Sequence, residues 1–469
     1  MYKQLRRERI SVILSELDFL CQELQKKHMS EKKDLKIHFI GAGGVGMYSL
    51  LVLSHSLGYS VSGSDRELGE YAKLLLDSGY KIHIGHSEEN IKDAEVAVYS
   101  FAVSEDNPEF LYAKKRGIPI VSRPVLLGAL MRIFERRIGV SGTHGKTTTT
   151  AMLDKIYSEA RLFPTTLLGS LLPSHNSPIR LGKRDFLIYE ACEYRDAFLS
   201  FSPSVSVFTN LELDHVDYFK SEEEIINSFS RAIGLSEYSV INTDSPMLEE
   251  AAKRSGKKII SYGEHERAEY RICNASGESG VYRFGIENRG KTVLQIKLQI
   301  PGKFNVYNAA AAAVAAFCEG IDTKTIEKAL SNFKLPPRRL EIIGKYKGNN
   351  VYYDYAHHPT EIEKTLIALR EMTNEKITVI FKPHTYSRTE GFLYEFARTL
   401  SIADRILLCD IAAIREKEIL GVSSERLAEI IGKKATRVEE KAIKEHITDG
   451  VIVIMGAADM KSICDDIVG

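Results

Sequence analysis

The chain has 469 residues, enough for about three domains at ~150 residues each. It is 44% hydrophobic and 27% charged, with 63 basic and 63 acidic residues and a formal net charge of zero. That is the balance of a soluble globular protein, and it excludes a nucleic-acid or membrane partner recruited through bulk charge. The six cysteines (Cys21, Cys192, Cys273, Cys318, Cys409, Cys464) are scattered, with no Cys-x-x-Cys spacing. Free thiols in a reducing compartment fit this pattern, which argues against a zinc site.

Residues 1–35 carry Ile13, Leu17, Leu20 and Leu24 at helical spacing among charges. This predicts a helix packed on the body, with a partner-binding arm as the other reading. Asp18, Gln22 and Glu23 interrupt any apolar run, so no signal peptide is expected. No run reaches the roughly 18 apolar residues of a membrane span. From Lys36 the pattern turns to strand, turn and helix. Ile37–Ile40 runs into Gly41-Ala-Gly-Gly-Val-Gly46, and an apolar helix follows to Leu57. A second strand, Tyr59–Ser62, ends near Asp65. Gly41, Gly43 and Gly46 fit the dinucleotide fingerprint, with its acidic residue about 20 positions on. Glycines serving only a tight turn would leave the same trace. Further α/β alternation runs to about Glu135.

A second unit opens at Arg136. The apolar run Ile138–Val140 leads into Ser141-Gly-Thr-His-Gly-Lys-Thr-Thr-Thr-Thr150 and a helical segment, Ala151–Glu159. A Gly-rich turn between strand and helix offers backbone N–H groups and a helix N-terminus to anions. Lys146 can reach terminal phosphates, and the Thr147 hydroxyl suits Mg²⁺. The loop is a compact variant, because Val140 stands where the first glycine of a standard phosphate loop would be. Phe186–Tyr189 and Val205–Phe208 read as parallel strands, whose carboxyl ends gather ligands in open α/β sheets. Glu190 ends one, and Asp214-His215 lies just past the other. With Thr147 they offer hydroxyl, carboxylate and imidazole to an Mg²⁺ that otherwise takes phosphate oxygens and water. Residues 268–300 alternate in a β manner and suggest an antiparallel insertion, followed by a helix from Phe304 to Phe317.

Pro336-Pro337 reads as a linker into a third, smaller α/β unit with strands Val351–Tyr353, Ile377–Phe381 and Ile406–Leu408. Two polar clusters follow strands there: Tyr353-Asp-Tyr-Ala-His-His-Pro-Thr-Glu361 and Phe381-Lys-Pro-His-Thr-Tyr-Ser-Arg-Thr389. Packing could explain either alone. Together, His, Arg and Tyr at two strand ends suit a carboxylate and a positioned nucleophile.

Six segments stand in one order: Gly-Thr-His-Gly-Lys-Thr-Thr, Glu-Ala-Cys-Glu-Tyr, Asn-Leu-Glu-Leu-Asp-His, Asn-Val-Tyr-Asn, Asp-Tyr-Ala-His-His-Pro-Thr-Glu and Pro-His-Thr-Tyr-Ser-Arg-Thr. That order resembles the Mur ligases over roughly residues 36–469, and among them the alanine-adding branch. The resemblance implies a three-domain α/β architecture: an N-terminal helical extension (1–35), a Rossmann-like UDP-substrate unit (36–135), a central P-loop ATPase-like unit (136–335) and a C-terminal Rossmann-like unit (336–469). It also implies a cytoplasmic ligase of peptidoglycan precursor synthesis, using ATP and Mg²⁺. Such an enzyme joins L-alanine to the lactyl carboxylate of UDP-N-acetylmuramate, as a monomer or homodimer, without nucleic acid or membrane.

The implied site follows by position. Gly43, Gly44, Gly46, Met47, Ser64 and Asp65 would hold the UDP part in place of a dinucleotide. Gly142, Thr143, Gly145, Lys146, Thr147 and Thr148 would hold ATP phosphates, Asn305 and Asn308 the adenine, and Arg339 and Asp354 the ribose and phosphate. Thr147, Glu190 and His215 would be metal ligands, and Lys146, Glu190 and His215 the catalytic set. Tyr355, His357, His384 and Arg388 would surround the alanine. The chain departs from the family at Phe304 (often His), at Thr385 (Arg in some relatives) and at Pro178-Ile179 (often Asn-Ala). Ser230 stands where several sister ligases, though not the alanine-adding ones, carry a carbamylated Lys. Three rivals remain at this level: a sister ligase that recycles a tripeptide, an NAD-dependent oxidoreductase, and a nucleotide-sensing protein. The oxidoreductase leaves the phosphate loop unexplained, and intact Lys146, Glu190 and His215 stand against the sensor.

Overall fold

A computed structural model describes Leu20 and residues 35–216, 218–413, 416–447 and 449–469. The helix expected over 1–35 lies outside the described residues, apart from Leu20, which is buried in the first hydrophobic core. Among the described residues, no helix is long and apolar enough to cross a membrane.

Three sheets organise the chain. The first holds β1 (Lys36–Ile40), β2 (Ser60–Asp65), β3 (Lys81–Ile84), β4 (Val96–Tyr99) and β5 (Ile120–Ser122), in the order β3-β2-β1-β4-β5. All its pairings are parallel. The strand order reverses between β1 and β4, and the Gly41–Gly46 turn sits at that switch point, where such sheets bind ligands.

The second sheet has ten strands: β6 (Arg136–Ser141), β7 (Pro164–Leu172), β8 (Ser177–Arg180), β9 (Lys183–Glu190), β10 (Val205–Phe208), β11 (Tyr238–Asn242), β12 (Ile259–Gly263), β13 (Tyr270–Glu278), β14 (Val281–Asn288) and β15 (Lys291–Leu298). Their order is β15-β14-β13-β12-β11-β10-β6-β9-β7-β8. The β13–β15 meander is antiparallel, as the alternation predicts, yet it is no separate insertion. β12 pairs with β13 in parallel and carries the meander as the sheet's edge. Pro178 lies on β8 at the other edge, where a missing N–H leaves no ladder bond broken. The Ala-rich helix Lys303–Cys318 buries Ala309–Ala316 completely, since methyl side chains let it lie close on its neighbours.

The third sheet holds β16 (Glu341–Tyr346), β17 (Asn349–Asp354), β18 (Ile377–Phe381), β19 (Arg405–Leu408), β20 (Ala435–Arg437) and β21 (Val451–Met455), ordered β16-β17-β21-β18-β19-β20. The expected strands are β17, β18 and β19. The central strand β21, Val-Ile-Val-Ile-Met, was not anticipated: a fully buried run has no period of its own.

Candidate active site

The phosphate-loop helix begins earlier than sequence reading placed it, at Lys146 rather than Ala151. The four threonines Thr147–Thr150 are β-branched and favour extended backbone, but they are buried in its first turns. Thr150 Oγ1 donates back to the Lys146 carbonyl at 2.8 Å, which satisfies its hydroxyl inside the helix. Gly145 precedes the helix at φ 84°. A Cβ there would lie 2.3 Å from Asn308 Oδ1. Gly142 is equally constrained, because a Cβ would meet Thr209 Oγ1 at 2.1 Å. The segment after β10 laces the loop down: Asn210 Oδ1 accepts from His144 N at 2.9 Å, and Thr143 Oγ1 accepts from Glu212 N at 2.9 Å.

Lys146 Nζ donates to Gly142 O (2.5 Å), Thr143 O (3.1 Å) and Glu193 Oε1 (3.0 Å). Burial opposes its charge, but the Glu193 carboxylate outweighs burial and the ammonium pKa is raised. Burial likewise opposes ionisation of Glu193, yet Lys146 and His215 hold its pKa down. His215 Nε2 lies 3.6 Å from Glu193 Oε1. Glu193 Oε2 is buried with no hydrogen bond. The motif reading quoted Glu193 but gave it no role. What aims it is a left-handed turn at Arg195 (φ 55°) and Asp196 (φ 59°), held by a 2.6 Å bond from Tyr218 Oη to Asp196. His215 is left-handed as well, at φ 53°. Strained backbone of this kind persists only where neighbours over-determine it, and it concentrates at functional sites.

Glu190 ends β9, the strand directly beside β6, where it pairs with Val140 at the entry to the loop, and its Oε1 accepts from Gly169 N at 2.6 Å. Thr147, Glu190, Glu193 and His215 thus supply oxygen donors and one imidazole around the loop. The orphaned Glu193 Oε2 is the observation that makes a hard cation such as Mg²⁺ fit them.

The third unit closes on this face through three polar contacts. Arg388 Nη2 reaches Asp214 Oδ1 at 2.6 Å, with Asp214 buried and Arg388 largely so. Burial would raise the Asp214 pKa, but Arg388 and the surrounding histidines hold it far below the ordinary carboxylate range. Glu361 Oε1 lies 3.1 Å from His144 Nδ1, and Thr360 Oγ1 donates to Glu212 Oε2 at 2.6 Å. Glu361 also binds His357, 3.1 Å from its Nδ1. Tyr355, His357 and His384 form a chain of edge-on rings at 5.2 and 5.8 Å. Arg388 is thus committed to an interdomain ion pair, which its expected role beside the alanine does not anticipate. Phe304 packs against the third unit's core, so the residue in place of the family's His serves the interface.

Other expected site residues divide. In the first unit, Asp65 Oδ2 accepts from Gly43 N at 2.7 Å and clamps the Gly-rich turn. Gly44 faces open space, and a Cβ on Gly46 would meet Arg123 Nη1 at 3.1 Å. Ser64 is buried beneath the turn and donates to Glu109 Oε2 at 2.5 Å, while Met47 is part of the core. These two support the loop from below. Thr148 is buried in the phosphate-loop helix. Asn305 and Asn308 are buried and bonded to each other at 3.0 Å, with Asn308 against Gly145. Arg339 lies 5.2 Å over the Tyr355 ring. Asp354 accepts from Leu340 N and Ala356 N at 2.7 and 2.8 Å, and burial pushes its pKa up to about 6. It ties Leu340, at the entry to β16, to the end of β17.

Three family models cover the chain: Mur ligase family, catalytic domain, over residues 36–135; Mur ligase middle domain, over 140–316; and Mur ligase, glutamate ligase domain, over 338–460. The chain belongs to the Mur ligase family. It is 39% identical to the UDP-N-acetylmuramate–L-alanine ligase of Caldicellulosiruptor bescii, covering 92% of this chain and 98% of that protein. It is also 39% identical to the enzyme of that name from Aquifex aeolicus, over 93% and 98%. Among solved structures, the UDP-N-acetylmuramate–alanine ligase of Thermotoga maritima superimposes with TM-score 0.79 at 29% identity, over 92% of this chain and 98% of that one. A murein peptide ligase from Psychrobacter arcticus shares the fold, with TM-score 0.70 at 24% identity.

Proposed function

We propose that the protein joins L-alanine to the lactyl carboxylate of UDP-N-acetylmuramate at the expense of ATP, in cytoplasmic peptidoglycan precursor synthesis. Near-full-length identity to enzymes of that name supports the reading. The observation that carries it is the phosphate loop facing the third unit, with Lys146, Glu193, His215, Asp214 and Arg388 converging between them. The working units are 36–135 for the UDP-sugar, 136–335 for ATP and 336–469 for alanine and closure.

The lactyl carboxylate attacks the γ-phosphorus of ATP, ADP leaves, and an acyl phosphate remains. The alanine amine then attacks the acyl carbon and expels phosphate. Lys146 exchanges its bonds to the Gly142 and Thr143 carbonyls for phosphate oxygens, while Glu193 keeps its ammonium charged and aimed. Thr147, Glu190 and His215, with Glu193 beside them, would hold Mg²⁺, which neutralises charge on the transferred phosphoryl group. Closure through Arg388 and Glu361 keeps water from the acyl phosphate. Alanine's carboxylate competes with Asp214 for Arg388, and His357 and His384 lie beside it for the amine.

Calorimetric titration tests the first unit's part. UDP-N-acetylmuramate should bind and NAD should not. NAD binding tighter than the UDP-sugar would return the oxidoreductase reading.

A further inference from the structure

Arg195 lies on the left-handed turn that follows Glu193, at φ 55°. An arginine keeps that backbone only where its neighbours impose it. Its guanidinium carbon is 5.4 Å from the Phe101 ring centroid and 5.4 Å from that of Tyr194. The two rings come from different units. Phe101 follows β4, in a stretch that leans on the start of the Gly-rich turn: a Cβ on Gly41 would lie 3.1 Å from Val103 Cγ2 and 3.5 Å from Ser100 Cβ. Tyr194 packs against His215, with ring centroids 4.8 Å apart. Arg195 therefore sits on the seam between the first unit's turn and the face that carries Lys146 and His215.

Ring faces attract the charge but accept no strong hydrogen bond, so they leave the N–H donors uncommitted. Among the described residues these donors have no hydrogen-bond or ion-pair partner. The carboxylates beside Arg195 in the chain are taken. Glu193 holds Lys146 at 3.0 Å, and Asp196 accepts from Tyr218 Oη at 2.6 Å and from Ser228 Oγ. A guanidinium fork that is fixed in place and lacks an acceptor suits a carboxylate or a phosphate, each of which offers two oxygens at matching spacing.

We propose that Arg195 receives an anionic oxygen pair of the sugar nucleotide, its diphosphate or its lactyl carboxylate, where the substrate passes from the first unit to the central one. The inference rests on the UDP-N-acetylmuramate reading above and gives the central unit a direct grip on a substrate that the first unit binds. The competing role is adhesive: the cation joins the two rings and touches no ligand.

Calorimetric titration of the full-length protein with UDP, UDP-N-acetylglucosamine and UDP-N-acetylmuramate separates these, because only the last carries the lactyl carboxylate. Arg195→Gln should weaken UDP-N-acetylmuramate binding roughly tenfold or more. A loss shared by all three ligands assigns the contact to the diphosphate, and a loss confined to UDP-N-acetylmuramate assigns it to the carboxylate. Phe101→Leu removes the first unit's ring but keeps the guanidinium, so it should cost much less affinity. If circular dichroism shows that Arg195→Gln does not fold, Arg195→Lys keeps the charge and the ring contacts but not the fork, and should still bind more weakly. Unchanged affinities in the folded Arg195 variant, or an equal loss in Phe101→Leu, would overturn the proposal. Wild-type protein that binds none of the three would overturn the sugar-nucleotide reading itself, and this inference with it.

Discussion

The Lys146 ammonium has three protons and three acceptors: two loop carbonyls and Glu193. Only Glu193 remains once phosphate displaces the carbonyls. Glu193→Gln removes the charge but not the shape, so the protein should fold while kcat falls about 10–100-fold, the usual cost of losing an orienting partner. Phosphate release measures it, and an unchanged kcat would remove Glu193 from the mechanism. Lys146 itself was legible because a lysine after a Gly-rich turn has one chemical use. Glu193 was not, because its aim depends on the left-handed Arg195-Asp196 turn, which no spacing announces. Glu109 is a second hidden carboxylate. Burial would raise its pKa, but the His38 imidazole 3.5 Å away and hydrogen bonds from Ser64 and Asn90 bring it to about 2, below the 4.5 of free glutamate. The folded state therefore favours the ionised form. That stability is whole above pH 4.5 and is lost as pH falls toward 2. Glu109→Gln should cost about 1–3 kcal/mol at neutral pH and flatten this acid limb. Urea unfolding followed by circular dichroism across that range checks both.

At the scale of elements, the phosphate loop depends on glycine at Gly145, where φ is 84° and Asn308 fills the space a side chain would need. Gly145→Ala should destabilise by about 1–3 kcal/mol through backbone strain alone. It should also abolish ATP binding, because moving Asn308 moves the helix that carries Asn305. A variant that binds ATP normally by calorimetry would show that the loop tolerates displacement. The strand–turn–helix units were readable because each glycine turn interrupts an apolar run. The start of the phosphate-loop helix was misplaced because the propensity of four threonines argued against it, and burial overrode that propensity. Strand β21 was missed for the opposite reason: it is apolar throughout and carries no alternation.

At the scale of the whole molecule, the central and third units meet across buried charged contacts as well as the apolar packing of Phe304. Arg388–Asp214 is the most buried of these. Removing one partner leaves the other charge unpaired, a cost of about 3–5 kcal/mol for a buried pair. Arg388→Ala should therefore loosen closure, seen as a larger radius of gyration in solution scattering with nucleotide bound. It should also raise the KM for alanine about tenfold or more while changing that for ATP less. An unchanged alanine KM would confine Arg388 to the interface. Sequence reading found the two third-unit clusters but not their partners, since Asp214 and Glu212 lie more than a hundred residues away and only the fold brings them together.

Whether this molecule adds alanine is decided most directly by phosphate release with ATP, UDP-N-acetylmuramate and a panel of amino acids and peptides. Release should require both ATP and the UDP-sugar. L-alanine should be preferred, and glycine and L-serine should react with lower kcat/KM, because one methylene is worth only about 1–3 kcal/mol in a pocket. A preference for D-glutamate or an intact peptide, or release that ignores the UDP-sugar, would contradict the assignment.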